Sequence, residues 1–349
     1  MEIGIGLDAS LNLSFPEQAD VSRKAARLGY TSIWTPEGTG QDSFQVCAQR
    51  WAATREVVPE GLTTGIAVSP VMYRTPVAFA MSAGTLTQLT GGRFILGIGT
   101  GGAYKPEARK ALGLLRLSAL ALMRDYLTTM HALLAGEEVN YRGSVVTLMQ
   151  TTLAIEPPPR TPVYLGTLGP EMLRLAGELA DGAALNWCTP DQIEWSRQRI
   201  TEGAARTGRD PAEVKVAEYI RVCVDDDVDT ARRAFATAVM GYALGDAIPT
   251  EKERTFGYRA HFERMGFTGA LADLDDMRRR GASDEEVADA FPPELLLKVG
   301  YYGTAAGAAP AFRDLARGLD VAIVRVVAAR PGVDSTLAVM NACAPTPAG

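Results

Sequence analysis

Two histidines and four cysteines in 349 residues leave little material for side-chain chemistry of the commonest kinds. His131 sits in an apolar helical pattern and His261 in a mixed segment, so neither a His-based triad nor a multi-histidine metal centre can be assembled from them. Cys47, Cys188, Cys223 and Cys343 are scattered without a CxxC pair and read as reduced thiols, neither a disulfide framework nor a zinc site. No metal is expected. The chemistry must come from carboxylates, tyrosines or a bound organic cofactor. Two small-residue segments could hold one. In Gly99-Thr100-Gly101-Gly102-Ala103-Tyr104 the backbone can approach a flat ring or a phosphate, although without a following Rossmann helix the same spacing also makes an ordinary turn. Gly166-Thr167-Leu168-Gly169 runs into Pro170, which suits the first turn of a helix, so free backbone N–H groups would point outward as an anion seat, or else the glycines only shape a turn.

These segments need elements that place them together. Short β-like runs alternate with helical stretches from the start: strand Ile3 to Leu7, helix Pro16 to Leu28, strand Thr31 to Thr35. Pro16 and Gly29 mark the helix ends by their own chemistry. Further strands are read at 62–68, 94–98, 163–165, 183–186, 214–224 and 321–327, most followed by a helix, with no internal repeat. Eight such units predict a (β/α)8 TIM barrel, with an open doubly wound sheet as the rival. The whole chain, 1–349, is expected to be one domain carrying two insertions. Residues 137–153, around Val139-Asn140-Tyr141-Arg142-Gly143-Ser144, read as a hairpin. Residues 245–303, of mixed charge, read as a partly helical insertion before the last strand.

Barrel enzymes work at the carboxyl ends of their strands, and this places the candidates. After the second strand comes Trp34-Thr35-Pro36-Glu37, after the third Ala67-Val68-Ser69, and after the sixth Asn186-Trp187-Cys188. Glu37 is the one inward carboxylate candidate for a catalytic role, or else a solvated acid. Tyr104 is a phenolic donor or a pocket wall. Trp34, assigned to the substrate pocket, and Trp187 either line the ring pocket or finish the core. A net charge of -6 disfavours nucleic acid and anionic membranes as partners, and no apolar stretch is long enough to span a membrane. A soluble, cytoplasmic protein acting on a small molecule is expected, assembled as a homo-oligomer.

The run Gly91-Gly92-Arg93-Phe94-Ile95-Leu96-Gly97-Ile98-Gly99-Thr100-Gly101 resembles the signature after the fourth strand of the luciferase-like flavin and deazaflavin oxidoreductases. Pro162-Val163-Tyr164-Leu165-Gly166, Leu168-Gly169-Pro170 and Leu175-Ala176-Gly177-Glu178-Leu179-Ala180-Asp181-Gly182 are similar to that family's cofactor-phosphate segment. The resemblance runs from Ile3 to about Arg330 and is weakest between 245 and 300. It implies an oxidoreductase using coenzyme F420, with flavin mononucleotide and monooxygenase chemistry as the alternative, or a cofactor-binding barrel without turnover. It implies cofactor contacts from Ala67, Val68, Gly99, Thr100, Gly101, Gly102, Gly166, Thr167, Leu168, Gly169, Asn186, Trp187 and Cys188, and a cis peptide between Ala67 and Val68 behind the ring. Relatives often carry His after an acidic residue at the second strand and Glu after the fourth-strand glycines; here Gly38 and Gly102 stand there. The acid–base pair of the sugar-phosphate-oxidising branch is therefore missing.

Overall fold

Local chemistry sets the first βαβ unit. Strand β1 (Glu2–Gly6) leads to the helix Phe15–Arg27. Ser14 caps that helix and Glu17 reaches back to the Ser14 amide, a capping box that satisfies two donors the first turn would otherwise leave open. Gly29, at φ 84°, turns the chain into β2 (Ser32–Thr35). The remaining strands are β3 (Thr63–Pro70), β4 (Phe94–Gly99), β5 (Val139–Arg142), β6 (Thr147–Thr151), β7 (Val163–Gly166), β8 (Gly182–Asn186), β9 (Lys215–Val224), β10 (Gly300–Gly303) and β11 (Val321–Val326). This computed structural model describes residues 1–101, 109–110, 113, 117–245, 247–251 and 253–345; Gly102 and Tyr104 lie outside the described residues.

The sheet runs β9-β11-β1-β2-β3-β4-β7-β8, and β8 pairs in turn with β9. That last ladder closes eight parallel strands into a barrel and excludes the open sheet. Its interior is a small cluster of Trp34, Ala67, Tyr164, Ala184, Ala217, Tyr219, Val321 and Ile323. A larger apolar layer lies between the strands and the surrounding helices. A separate cluster, built on Trp187, Phe235, Phe262, Phe267 and Phe291, packs the helices between Val228 and Leu296.

Two features decorate the ring. β5 and β6 form an antiparallel hairpin held by Asp125, whose carboxylate accepts from the Val145 and Val146 amides at 2.7 and 2.9 Å and from the Tyr141 hydroxyl at 2.8 Å. The segment 245–303 holds helices, and it also ends in β10, a strand that sequence analysis left inside the insertion. β8 pairs with β9 only as far as Tyr219, and β10 takes over from Arg221 to Val224 while β11 keeps the opposite edge. The run Gly300-Tyr301-Tyr302-Gly303 is too short and glycine-bounded to announce itself as a strand; the free upper edge of β9 makes it one. Among the described residues no helix is long and apolar enough to cross a membrane.

Candidate functional site

At the carboxyl end of β3 the Ala67–Val68 peptide is cis. The β3–β4 register slips there: Ile66 pairs with Leu96 and Ser69 with Ile98, so three steps on β3 cover two on β4. Ala67 and Val68 consequently both reach the barrel interior, which regular alternation forbids. The Val68 side chain explains the glycines facing it. A Cβ on Gly99 would stand 2.5 Å from Val68 Cγ2, and one on Gly166 would stand 2.9 Å from Val68 Cγ1. Gly101 has φ 54° and abuts Pro70, so it needs glycine for its turn. Thr100 lies half-buried between them. Val68 thus stands between the ends of β4 and β7, and both strand ends are kept bare of side chains to admit it.

Glu37 lies at the mouth, but its carboxylate is closed. Arg74 donates to both oxygens at 2.6 and 2.7 Å, the Ser43 amide donates at 3.3 Å, and the Ser69 hydroxyl makes a very short contact. Its side chain is 3% exposed. Arg74 also pairs with Asp42, which caps the helix Ser43–Thr54. The Glu37 amide donates to the Val68 carbonyl at 3.2 Å. Glu37 therefore ties the ends of β2 and β3 to that helix through charge-assisted bonds that engage both of its carboxylate oxygens.

The segment after β7 forms an uncapped helix start. Gly169 is the N-cap of Pro170–Leu179 and offers no side chain to the first turn. The Leu168 and Gly169 amides have no partner among the described residues, and a Cβ on Gly169 would meet open space. The Thr167 amide instead donates to the Ala184 carbonyl at 3.2 Å, because Thr167 still extends the β7–β8 ladder. Its contribution to an anion would come from its buried hydroxyl, which has no partner among the described residues. Arg264 fixes the turn by donating to the Leu168 carbonyl at 2.8 Å. A bulge to back a flat ring, an orphaned hydroxyl and a helix N-terminus fit a ring cofactor with a phosphorylated chain.

After β8 the chain leaves the barrel. Trp187 has φ 58°, and its ring joins Phe235 and Phe262 in the helical cluster instead of the interior layer. The His261 Nε2–H donates to the Trp187 carbonyl at 2.8 Å, and burial pulls His261 down to about 4. Cys188 lies 3.8 Å from that nitrogen; burial and Glu218 push its thiol up, which makes it a poor nucleophile. The Cys188 amide donates to Glu218 at 2.6 Å, and burial pushes Glu218 up to about 8. Asn186 accepts from Arg221 at 2.6 Å and donates to the Tyr258 hydroxyl at 2.7 Å. Trp34 is fully buried in the interior layer, its indole donating to Ser32 at 2.8 Å, and Gly4 and Gly65 make room for it.

Sequence analysis passed over two groups at the mouth, Arg221 and Arg325. Each is a lone charge in an apolar strand, in Tyr219-Ile220-Arg221-Val222 and Ile323-Val324-Arg325-Val326. A charge in a strand buried on both faces is itself a signal, because burial is costly without a reason. Arg221 lies 3.7 Å from the Trp187 ring centre, and Arg325 lies 4.8 Å from that of Tyr219 and contacts Asp8.

A family model described as luciferase-like monooxygenase matches residues 3–321. Over 228 residues the chain is 29% identical to a 5,10-methylenetetrahydromethanopterin reductase of Methanolobus tindarius, across 65% of this chain and 67% of that one. It is 32% identical over 190 residues to a reductase of the same name from Archaeoglobus fulgidus, a match spanning 54% of this chain and little more than half, 56%, of the relative. The coenzyme F420 dependent tetrahydromethanopterin reductase of Methanopyrus kandleri superimposes with a TM-score of 0.75 at 20% identity, covering 97% of this chain and 96% of that one, and so shares the fold.

Proposed function

The chain belongs to the luciferase-like monooxygenase family, and from that premise we propose that it is a coenzyme F420-dependent oxidoreductase acting on a small organic substrate. Bound at the mouth, a deazaflavin would supply a two-electron carrier that gives hydride to, or takes it from, a substrate carbon. The observation that carries the reading is the pairing of the Ala67–Val68 bulge with the open turn at Gly166–Gly169, one suited to the back of a ring and the other to its phosphate. A relative named a putative coenzyme F420-dependent oxidoreductase, from Mycobacterium tuberculosis and 29% identical over 315 residues, supports F420 over flavin mononucleotide.

The chain's own part is placement and the proton that accompanies the hydride. We assign the phosphate to the Leu168 and Gly169 amides with the Thr167 hydroxyl, the ring to the wall of Ala67, Val68, Gly99 and Gly166, and the floor to Trp34. Glu37, with both oxygens engaged by Arg74, holds this wall in place; Tyr104, just past the β4 glycines in sequence, is the candidate for handling the proton. Cytoplasmic location and a homo-oligomeric assembly complete the reading.

Isothermal titration with F420 and with flavin mononucleotide tests it. F420 should bind and flavin mononucleotide should bind far more weakly; micromolar flavin mononucleotide affinity with no F420 binding overturns the proposal. The variant Gly169→Asp, which places a negative charge at the phosphate seat, should weaken F420 binding at least tenfold, about 1.4 kcal/mol. Unchanged affinity would move the phosphate elsewhere.

A further inference from the structure

The wall facing the β3 bulge is unusual in its charge. Around the ring of eight strands, β9 lies opposite β3, with β11 beside it. Arg221 and Arg325 are directly paired in the β9–β11 register. Both continue the alternation that sends Ala217, Tyr219, Val321 and Ile323 into the interior, and a Cβ on inward-facing Gly6 would stand 3.1 Å from Arg325 Cδ. Neighbouring strands are roughly 4.8 Å apart, so two guanidinium groups start side by side. Both are nearly fully buried, at 4% and 5% exposure.

One carboxylate serves the pair. Asp8, in the turn after β1, contacts Arg325. Arg221 has no ion-pair partner among the described residues; its contacts include the Asn186 carbonyl oxygen, the Tyr242 hydroxyl and the rings of Trp187 and Tyr242. Glu218, three residues earlier on the same strand and so on its other face, accepts from the Cys188 amide. Arg325 Nη1 and the Tyr219 hydroxyl are buried and have no partner among the described residues. Burial pulls both guanidinium groups downward, Arg325 to about 9, and an arginine in a protein keeps its charge at neutral pH. Two like charges in register with a single counter-ion among the described residues, beside two buried donors that have no partner there, favour an anion.

We propose that Arg221 and Arg325, with the Tyr219 hydroxyl, bind an oxyanion of the substrate, a carboxylate or a phosphate, across the mouth from the ring-backing bulge. The inference rests on the cofactor reading above and adds the substrate class to it: small organic anions. The planar guanidinium forks suit bidentate oxyanions, and the aromatic faces beneath them keep the forks oriented. The anion holds the substrate by its end remote from the reacting carbon, so that carbon is set between the arginine wall and the ring.

Calorimetric titration of the full-length protein with inorganic phosphate and with acetate, alone and preloaded with F420, tests the proposal. Expected is saturable binding of at least one probe, retained when F420 is bound, weakened at least about tenfold in Arg221→Met and in Arg325→Met, and unaffected by Gly169→Asp. Should the methionine variants fail to fold, Arg221→Lys and Arg325→Lys, which keep the charge and lose the fork, should show a smaller loss. Mutual exclusion of phosphate and F420, with loss of the phosphate site in Gly169→Asp, would reassign the anion to the cofactor. Absence of saturable binding, or full affinity in the arginine variants, overturns the proposal. Binding through the arginines by a protein that takes no F420 would leave this site standing and remove the cofactor reading instead.

Discussion

The residue that sequence position favours for acid–base work, Glu37, is held by Arg74, Ser43 and Ser69, and a carboxylate so engaged is poorly placed to exchange a proton during turnover. Positioning and proton transfer predict different things of Glu37→Gln. Loss of a proton carrier costs about 10²–10⁴-fold in turnover and removes a limb of the pH–rate profile. Loss of a positioning bond lowers turnover while leaving the shape of that profile intact, and lowers the melting temperature because Arg74 loses its bidentate partner. We expect the second pattern, read from kcat against pH and from thermal melts. Position alone showed that Glu37 would stand at the mouth; its neutralising partner Arg74 lies beyond β3, and nothing in local spacing joins the two. Arg221 and Arg325 were legible in principle, as charges inside apolar strands, but only once those strands are known to be buried on both faces. The Trp187 side chain was not legible, since its direction depends on a positive φ at a non-glycine residue, which no propensity forecasts.

At the scale of elements, the packing of β3 against β4 and β7 makes its own forecast. Gly99→Ala drives a methyl into Val68 Cγ2 and should destabilise by about 1–3 kcal/mol. Val68→Ala removes the obstructing methyls, so the double variant Gly99→Ala/Val68→Ala should recover part of that loss; strict additivity in urea melts would show that the clash is relieved some other way. Gly97→Ala is the control, for there the nearest obstacle is the Ile66 carbonyl, with Val68 Cγ1 farther off at 3.2 Å, and Val68→Ala should give little rescue. The eight barrel strands were legible because most are apolar runs closed by glycine or proline chemistry, and a parallel sheet buried on both faces leaves just that trace. β10 was not, because its pairing depends on where β8 leaves β9, which is a property of the assembled barrel.

For the molecule as a whole, buried titratable groups behind β8 set a dependence of stability on pH. Glu218 is raised from 4.5 to about 8 by burial, so the folded chain holds a proton that the unfolded chain has released. Stability should therefore fall as pH rises from about 4.5 to 8. His261 acts in the other direction: lowered from 6.5 to about 4, it costs stability as pH falls through that range. The two oppose each other below 6.5, and above it Glu218 acts alone. Denaturation midpoints between pH 6.5 and 8 should decline in the parent protein and stay flatter in Glu218→Gln; parallel curves would refute the assignment. The fork in β9 has a consequence of another kind. Because β8 closes the barrel on the lower half of that strand and β10 occupies only the upper half, the 245–299 stretch enters and leaves the fold without belonging to barrel closure. Outside the residues that tie it to the site, Tyr258 on Asn186, His261 on Trp187 and Arg264 on Leu168, its sequence and length can drift as an exchangeable cassette without opening the barrel, while the rung it rejoins, Gly300 on Arg221, carries one of the two proposed anion-binding side chains. A lineage could retune what the mouth accepts by splicing that cassette and leave the machinery on the opposite wall untouched.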